Sequence, residues 1–234
     1  MSQTPPTAAE AEKMLAAVRA KRGYLLPHHG LLAITEPGLL DAYDRMYTAL
    51  TLTPRLLDER RKEFVWLVIL TVKREAIATH HIRKFREAGG SEAEIEAAIA
   101  LAGWAESTPA VAFVDEAWKG HLPAFDRVAA YRAGLRAVAG ATPPGLVEMA
   151  MAAAQACRDE RWALAEHIKG AYAAGVPEPE LAEALSLMMF PGSIPNFVEA
   201  CGVWRDLVRD GALPASAAFR AWAAIDQSGE KAPR

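Results

Sequence analysis

Two side chains suited to proton transfer, the imidazole of His81 and the carboxylate of Glu63, are the leading candidates for chemistry in this sequence. Glu63 precedes His81 by 18 residues, on the preceding predicted helix, so a hairpin between the helices would bring the two together. A carboxylate partner fixes the tautomer of an imidazole and raises its pKa, which makes the ring a proton donor near neutral pH. The alternatives are a hydrogen-bonded core histidine and a solvated glutamate. We predict His81 and Glu63 as catalytic residues, together with the adjacent His80.

The same pattern occurs a second time in the chain. Glu148 precedes His167 by 19 residues, and a shift of 86 positions aligns His81 with His167. This alignment gives 11 identical positions over residues 81 to 118, so the chain is an internal duplication. We predict His167 and Glu148 as the second-copy counterparts, with Glu166 at the position that aligns with His80.

Basic side chains flank the first histidine. Lys73, Arg74 and Arg83 could clamp a substrate carboxylate through charge-assisted hydrogen bonds. In the second copy Asp159 and Glu160 align with Lys73 and Arg74, which reverses the local charge. An anionic small-molecule substrate is therefore expected in the first copy, although such charges also occur on ordinary solvated surfaces.

Composition excludes several classes of partner. The net charge is −3 and the isoelectric point is about 6.1, so no basic field attracts nucleic acid or anionic lipid. The longest apolar run, Phe64 to Leu70 followed by Thr71-Val72, is too short to span a bilayer, and the first residues do not resemble a signal peptide. We expect a cytoplasmic protein that binds neither nucleic acid nor membrane.

The sequence offers little for a metal or a nucleophile. Cys157 and Cys201 are too sparse for a disulfide framework or a zinc site. The adjacent pairs His28-His29 and His80-His81 would diverge on a helix, and neither His-x-x-x-His nor Glu-x-x-His occurs. We predict no metal site.

The elements that position these residues are predicted to be helices. Glu63 to Val72 is rich in β-branched residues and alone could form a buried strand, but its counterpart Glu148 to Cys157 is rich in alanine. Because two copies share one fold, we predict a helix for both. The other predicted helices are 8–22, 37–50, 74–88, 92–104, 109–120, 180–190, 195–208 and 216–226, with the helix that precedes Gly175 as the counterpart of 74–88, and with Gln227 to Arg234 as a frayed tail.

Proline and glycine residues set the expected boundaries of these helices. Tyr24 to Gly30 is predicted as an extended connector, because Pro27 disfavours helix at the residue before it. Thr53-Pro54 and Thr142-Pro143 are predicted helix starts, and Gly89 and Gly175 are predicted helix ends. Three- and four-residue steps place Arg74, Ile77, His81, Phe85 and Ala88 on one helix face.

The sequence resembles the carboxymuconolactone decarboxylase family, which includes alkylhydroperoxidase-D-like proteins. The resemblance rests on Lys62-Glu63-Phe64 before a long apolar helix, on His81 with Gly89 eight residues later, and on the acidic helix start Ser91 to Ile95. The second copy carries a fainter version in Glu148, His167, Gly175 and Pro177 to Leu181.

This resemblance implies an all-α fold of two tandem alkylhydroperoxidase-D-like repeats related by internal pseudo-symmetry. It also implies a pocket around the histidine and self-association into a ring-like homo-oligomer. We place an N-terminal helix and connector at 1–45, the first repeat at 46–128, the second repeat at 129–215, and a C-terminal helix and tail at 216–234.

The peroxidase branch of the family uses Cys-x-x-Cys placed seven and four residues before the histidine. Those positions hold Arg74 and Ile77 in the first copy and Glu160 and Ala163 in the second, so peroxidase activity is disfavoured. The decarboxylase branch implies a lyase without a cofactor that acts on a small carboxylated ring or lactone, as in the degradation of aromatic compounds. His81 would donate the proton, Glu63 would orient it, and Arg74 or Lys73 would bind the retained carboxylate.

Two functional readings stay open. The first is this lyase or a related proton-transfer enzyme. The second is a non-catalytic α-helical oligomeric binding protein that kept the fold, which the missing cysteines and the divergent second copy fit equally well.

Overall fold

The structure, a computed structural model, describes residues 6–225, and these form thirteen α-helices and no β-strand. The helices in chain order are α1 (Ala8–Arg22), α2 (Pro27–Thr35), α3 (Pro37–Tyr47), α4 (Glu59–Val72), α5 (His80–Glu87), α6 (Glu92–Glu106), α7 (Thr108–Ala117), α8 (Arg127–Ala139), α9 (Pro144–Cys157), α10 (Arg161–Ala173), α11 (Glu178–Ser186), α12 (Ile194–Arg209) and α13 (Ala217–Ala224). The predicted all-α class is confirmed.

The chain divides into two compact units, Met1–Pro54 and Arg55–Arg234. The first unit contains α1 to α3, followed by one turn of π-helix, Thr48–Leu52. Its α1 begins with a capping box at Thr7 and ends at Gly23, whose φ of 82° is left-handed. Ion pairs from Lys21 and Arg22 to Asp44 tie α1 to α3.

The second unit is built around α4 and α9. Almost every residue of α9 from Leu146 to Cys157 is buried, and α4 is buried from Lys62 to Ile69. The β-branched run of the first copy therefore forms a core helix, as its alanine-rich counterpart does. Asp58 caps the first turn of α4 by accepting a hydrogen bond from the backbone of Arg61.

The two copies follow the same order of elements, α4 to α7 and α9 to α12. A residue with positive φ follows the central helix in each copy, Arg74 at 55° and Asp159 at 57°. Gly89 and Gly175 follow α5 and α10 with φ values of 84° and 71°. The predicted tandem repeat is confirmed.

Several predicted helix boundaries differ from the structure by one or more residues. The connector predicted for Tyr24 to Gly30 ends at Leu26, because Pro27 is the first residue of α2, a position at which proline is compatible with a helix. Thr53-Pro54 does not begin a helix, since α4 starts at Glu59 behind the Asp58 cap. In the second copy α9 starts at Pro144, one residue later than predicted.

The largest correction concerns the helix that carries His81. It was predicted to begin at Arg74, but α5 begins at His80. The left-handed backbone of Arg74 ends the preceding helix, and Ile77 is 60% exposed. Arg74 and Ile77 therefore do not share the buried face of His81 and Phe85. The helix α8 had not been predicted.

One continuous run of helix, Glu92–Ala117, is long and apolar enough to cross a membrane by length and composition alone. Core helices also pass this test, and Ala98, Leu101 and Ala105 within the run are fully buried in the protein core. The helix predicted near residues 216 to 226 is present as α13, whereas the predicted tail from Gln227 lies outside the described residues.

Candidate active site

The hairpin of α4 and α5 brings Glu63 and His81 together, as the sequence predicted. Nδ1 of His81 lies 2.6 Å from Oε2 of Glu63. Glu63 is completely buried and His81 is 4% exposed. The indole of Trp66 lies beside the imidazole, with 4.9 Å between the ring centroids. The pair is thus held in a solvent-poor part of the first copy.

Burial sets the protonation of this pair. It raises the pKa of the Glu63 carboxyl to about 8, although Lys84 and Lys62 act in the opposite direction. It lowers the pKa of His81 to about 3, and both lysines add to this shift. The expectation that Glu63 would raise the pKa of His81 is therefore wrong, because desolvation outweighs the partner.

At neutral pH the pair is uncharged and still holds two protons. When the carboxyl of Glu63 donates its proton to Nδ1 of His81, the ring proton lies on Nε2. Within the described residues Nε2 makes no hydrogen bond, and neither do the buried atoms Oε1 of Glu63 and Nε1 of Trp66. A buried polar atom without a partner is costly, so these groups are suited to a polar ligand.

His80 and Lys84 complete the surroundings of the pair. The ring of His80 lies 4.2 Å from that of His81, and burial lowers the pKa of His80 to about 4. Nζ of Lys84 lies 4.0 Å from Oε1 of Glu63. Lys84 was not among the predicted site residues, although it follows His81 by nearly one helical turn and so shares its side of α5.

The predicted substrate-binding cations are not gathered at the imidazole. Arg83 is exposed and pairs with Glu87 at 2.7 Å. Lys73 is exposed at the end of α4. Its positive charge lowers the pKa of the Cys157 thiol, against the larger opposite effect of burial. Arg74 is 83% exposed at its side chain, and its guanidinium lies 4.0 Å from Glu106.

Arg74 nevertheless lines a cavity of about 290 Å³, whose lining includes neither His81 nor Glu63. Leu67, another lining residue, follows Glu63 by four positions and therefore lies on the same face of α4. Thr79 and Ile82, which flank the His80-His81 pair in the chain, also line it. The cavity is thus lined by residues of α4 and α5 that neighbour the pair in the chain.

The same segment has a different structure in the second copy. Residues 75 to 79 form turns and bends before α5, and most of them line the cavity. The aligned residues 161 to 165 form the first turns of α10. The first copy therefore has a loop and a cavity where the second copy has a helix.

His167 and Glu148 form an equivalent pair, with Nδ1 of the ring 2.7 Å from Oε2 of the carboxylate. Here, however, every polar atom of the pair has a partner. Nε2 of His167 lies 2.9 Å from the hydroxyl of Tyr131, and Arg132 donates to Oε1 of Glu148 at 2.6 Å. Gln155 donates to the same Tyr131 hydroxyl at 2.8 Å. No atom of this pair is left for a ligand.

The charge state of the second pair also differs. Burial alone would raise the pKa of Glu148, but His167 and Arg132 bring it below its ordinary value. Burial lowers the pKa of His167, and the ring is completely buried. Glu148 is thus a carboxylate at neutral pH, whereas Glu63 keeps its proton.

One aligned position explains part of this contrast. A side chain at Gly170 would meet the carboxylate of Glu148, because a Cβ built there lies 2.4 Å from Oε2. Gly170 aligns with Lys84 of the first copy. Glu166, predicted as a counterpart of His80, instead pairs with Lys169 at 2.8 Å, and its carbonyl accepts a hydrogen bond from Arg132.

Neither cysteine is a candidate nucleophile. Burial raises the pKa of Cys157 to about 12 and also raises that of Cys201, so both are thiols at neutral pH. No group of three or more His, Cys, Asp or Glu is arranged to hold a metal ion in the described part of the chain.

Comparison with known proteins adds one finding. No curated protein and no solved structure matches the chain. The model of the Carboxymuconolactone decarboxylase family matches it twice, at residues 37–120 and 123–206. The two matches are offset by the same 86 positions that align His81 with His167. The predicted repeat bounds, 46–128 and 129–215, stay predictions. Because these matches cover well over half of its length, the chain belongs to the carboxymuconolactone decarboxylase family.

Proposed function

We propose that the chain is a lyase without a cofactor, of the decarboxylase type or a related proton-transfer type, that acts on a small carboxylated ring or lactone. Membership in the carboxymuconolactone decarboxylase family supports the general class. The observation that carries the proposal is the buried, uncharged His81–Glu63 pair, in which Nε2 of His81 makes no hydrogen bond within the described residues. Such a nitrogen can deliver a proton to a reacting carbon.

The proposed reaction begins when the bond between the ring carbon and the departing carboxylate breaks. Carbon dioxide leaves, and the electron pair moves through the conjugated double bond into the lactone carbonyl as an enolate. The enolate is then protonated at carbon by Nε2 of His81. At the same time Nδ1 of His81 receives the proton of Glu63 across their 2.6 Å hydrogen bond. Glu63 is left as a carboxylate; a proton from solvent then binds Nε2, and Nδ1 returns its proton to Glu63.

Lys84 has a definite task in this sequence of steps. When Glu63 gives up its proton, a negative charge appears in a buried place, which is unfavourable without a partner. Nζ of Lys84, 4.0 Å from Oε1 of Glu63, supplies a positive charge for it. Lys84 is therefore proposed as a positioning residue that stabilises the charge left behind.

The cavity lined by Arg74 is the proposed substrate site, and its size limits the substrate. Its volume of about 290 Å³ is at the lower end of the range for ligand pockets, so it fits a single small ring. Arg74 offers an exposed guanidinium that can bind the carboxylate that the substrate retains. Leu67, Leu70 and Ile82 provide an apolar wall that favours decarboxylation by excluding water.

The alternative of a non-catalytic binding protein is favoured for the second copy only. The saturated network around His167 has the character of a structural core, since all its hydrogen bonds are made inside the protein. Peroxidase activity is not proposed, because neither Cys157 nor Cys201 forms a thiolate at neutral pH. A ring-like homo-oligomer, a cytoplasmic location and the absence of a cofactor stay predictions.

The proposal is tested by incubating the protein with a γ-lactone that carries one carboxylate on the ring and one on the side chain. We expect release of carbon dioxide, and in D2O we expect one deuterium at the protonated carbon of the product. Absence of both carbon dioxide and deuterium with this lactone and with related ring carboxylates would favour the binding protein.

The pH dependence of the reaction follows from the proton on Glu63. The donating form exists below the pKa of about 8 of this carboxyl and disappears as pH rises through it. We expect kcat to be constant from about pH 5 to 7 and to fall about tenfold per pH unit well above 8. Replacement of Lys84 by methionine removes a nearby cation, so the fall should move to higher pH while kcat at pH 7 decreases.

A matched control for this measurement is Lys169→Met. Lys169 is 44% exposed at its side chain on α10 and pairs with Glu166. Its replacement should leave the pH profile unchanged. A profile for Lys84→Met that coincides with the wild type would contradict the role given to Lys84.

Replacement of Arg74 by glutamine is expected to raise KM for the carboxylated substrate about tenfold, because a charge-assisted hydrogen bond contributes about 1.4 kcal/mol. The value of kcat should change little, since Arg74 lies away from the imidazole. Steady-state kinetics measures both. Arg83→Gln is the control, because Arg83 is exposed and already paired with Glu87. An equal rise in KM for both variants would contradict the proposal that Arg74 binds the substrate carboxylate.

A further inference from the structure

A cavity of about 900 Å³ lies where the two copies meet, apart from the His81–Glu63 pair. Aligned positions of both copies line it, among them Ser91 with Pro177 and Glu94 with Glu180. Neither Glu63 nor His81 is a lining residue. It also shares no lining residue with the cavity at Arg74, so it is distinct from the proposed substrate site.

The floor of this cavity, which we call the inter-copy cavity, is apolar. Phe64, Phe85 and Met149 are almost completely buried, and each contributes to the lining. Leu146 and Val176 extend the same surface. The volume lies within the range of about 300 to 1,000 Å³ that is typical of small-molecule sites, which are mostly apolar with a few polar groups.

Charged side chains occur at this cavity, but each already has a partner of opposite charge. The ion pairs are Arg60–Glu94 at 2.6 Å, Arg61–Glu180 at 2.6 Å and Arg61–Asp58 at 2.7 Å. These five residues are all the charged residues that line it. A charged ligand would meet side chains whose charge is already balanced by a partner, whereas a neutral ligand needs no counter-charge and leaves the ion pairs in place.

We propose that the inter-copy cavity binds a neutral, mostly apolar small molecule, such as an uncharged aromatic or acyl compound. The apolar floor would remove the ligand from water, and the paired charges at the cavity would discriminate against anions and cations. This ligand class differs from the anionic substrate proposed for the first copy. The inference stands on the cavity alone and does not depend on the proposed reaction.

Two probes with the same ring system test the proposal. N-phenyl-1-naphthylamine is neutral, and 8-anilino-1-naphthalenesulfonate differs from it by one sulfonate group. Both fluoresce when they leave water for an apolar site. We expect the neutral probe to bind with one site per chain and the sulfonate to bind at least about tenfold more weakly. Tighter binding of the sulfonate, or no binding of the neutral probe, would overturn the proposal.

Substitutions then locate the site. Ala97 on α6 lines the cavity, so Ala97→Phe should fill part of it and weaken binding of the neutral probe at least about tenfold. Ala110→Phe makes the same change at an exposed position of α7 that does not line it, and should bind like the wild type. If Ala97→Phe fails to fold, Ala93→Phe serves, since Ala93 is exposed and also lines the cavity.

A last variant separates this cavity from the active site. His81→Gln should bind the neutral probe with unchanged affinity, because His81 does not line the cavity. Loss of binding in His81→Gln, or full binding in both Ala97→Phe and Ala93→Phe, would place the probe elsewhere and refute the assignment.

Discussion

Replacement of His81 by glutamine is expected to lower kcat for carbon dioxide release by about 10²- to 10⁴-fold, the usual contribution of a general acid. Replacement of His167 by glutamine is expected to leave kcat within about twofold, although the sequence gives both histidines the same context. The reason is that Nε2 of His81 has no hydrogen bond within the described residues, whereas Nε2 of His167 is occupied by Tyr131. Initial rates at saturating substrate measure both effects.

His167 is completely buried, so its variant needs a check on folding. Circular dichroism spectra should accompany the rates, and Tyr131→Phe provides a milder change in the same network. It removes the hydroxyl that contacts His167 and should also leave kcat nearly unchanged. Equal losses of kcat for His81→Gln and for a folded His167→Gln would show that both copies are catalytic, against the proposal.

Replacement of Arg132 by methionine is expected to lower the free energy of unfolding by about 3 kcal/mol, because it leaves a largely buried carboxylate without its cation. Arg132 donates to Glu148 at 2.6 Å, and the side chains are only 20% and 13% exposed. Denaturation with urea measures the change. The double variant Arg132→Met with Glu148→Gln should recover part of the loss, since it removes the unpaired charge.

A surface pair provides the comparison. Arg86 and Glu92 are 2.6 Å apart but have side chains that are 54% and 68% exposed. Arg86→Met should therefore change the free energy of unfolding by less than about 1 kcal/mol. If Arg132→Met is no more destabilising than Arg86→Met, the second copy does not depend on its buried network.

Much of the fold could be predicted from sequence because each copy helped to interpret the other. The run from Glu63 to Val72 alone is ambiguous between strand and helix, and only its alanine-rich counterpart decides for helix. The pairing of Glu63 with His81 followed from the short connection between two neighbouring helices. These inferences need only local periodicity and the repeat.

The remaining features depend on contacts that local patterns do not encode. Tyr131 and Arg132 lie on α8 and reach His167 and Glu148 from 36 and 16 residues away. A shift of 86 positions aligns α8 with α3 in the sequence. This alignment was the one available sequence signal for α8. The left-handed backbone of Arg74 had no signal at all, since non-glycine residues rarely adopt it.

The loop at residues 75 to 79, where the other copy continues as helix, has an evolutionary consequence. Fusing two ancestral subunits into one polypeptide leaves one half free to diverge while the other maintains the scaffold. The irregular start of α5 lacks backbone hydrogen bonds that the first turns of α10 make, and a chain with a single copy would bear that loss in its whole scaffold. In the duplicated chain only one half bears it, so selection can remodel that half without dismantling the fold.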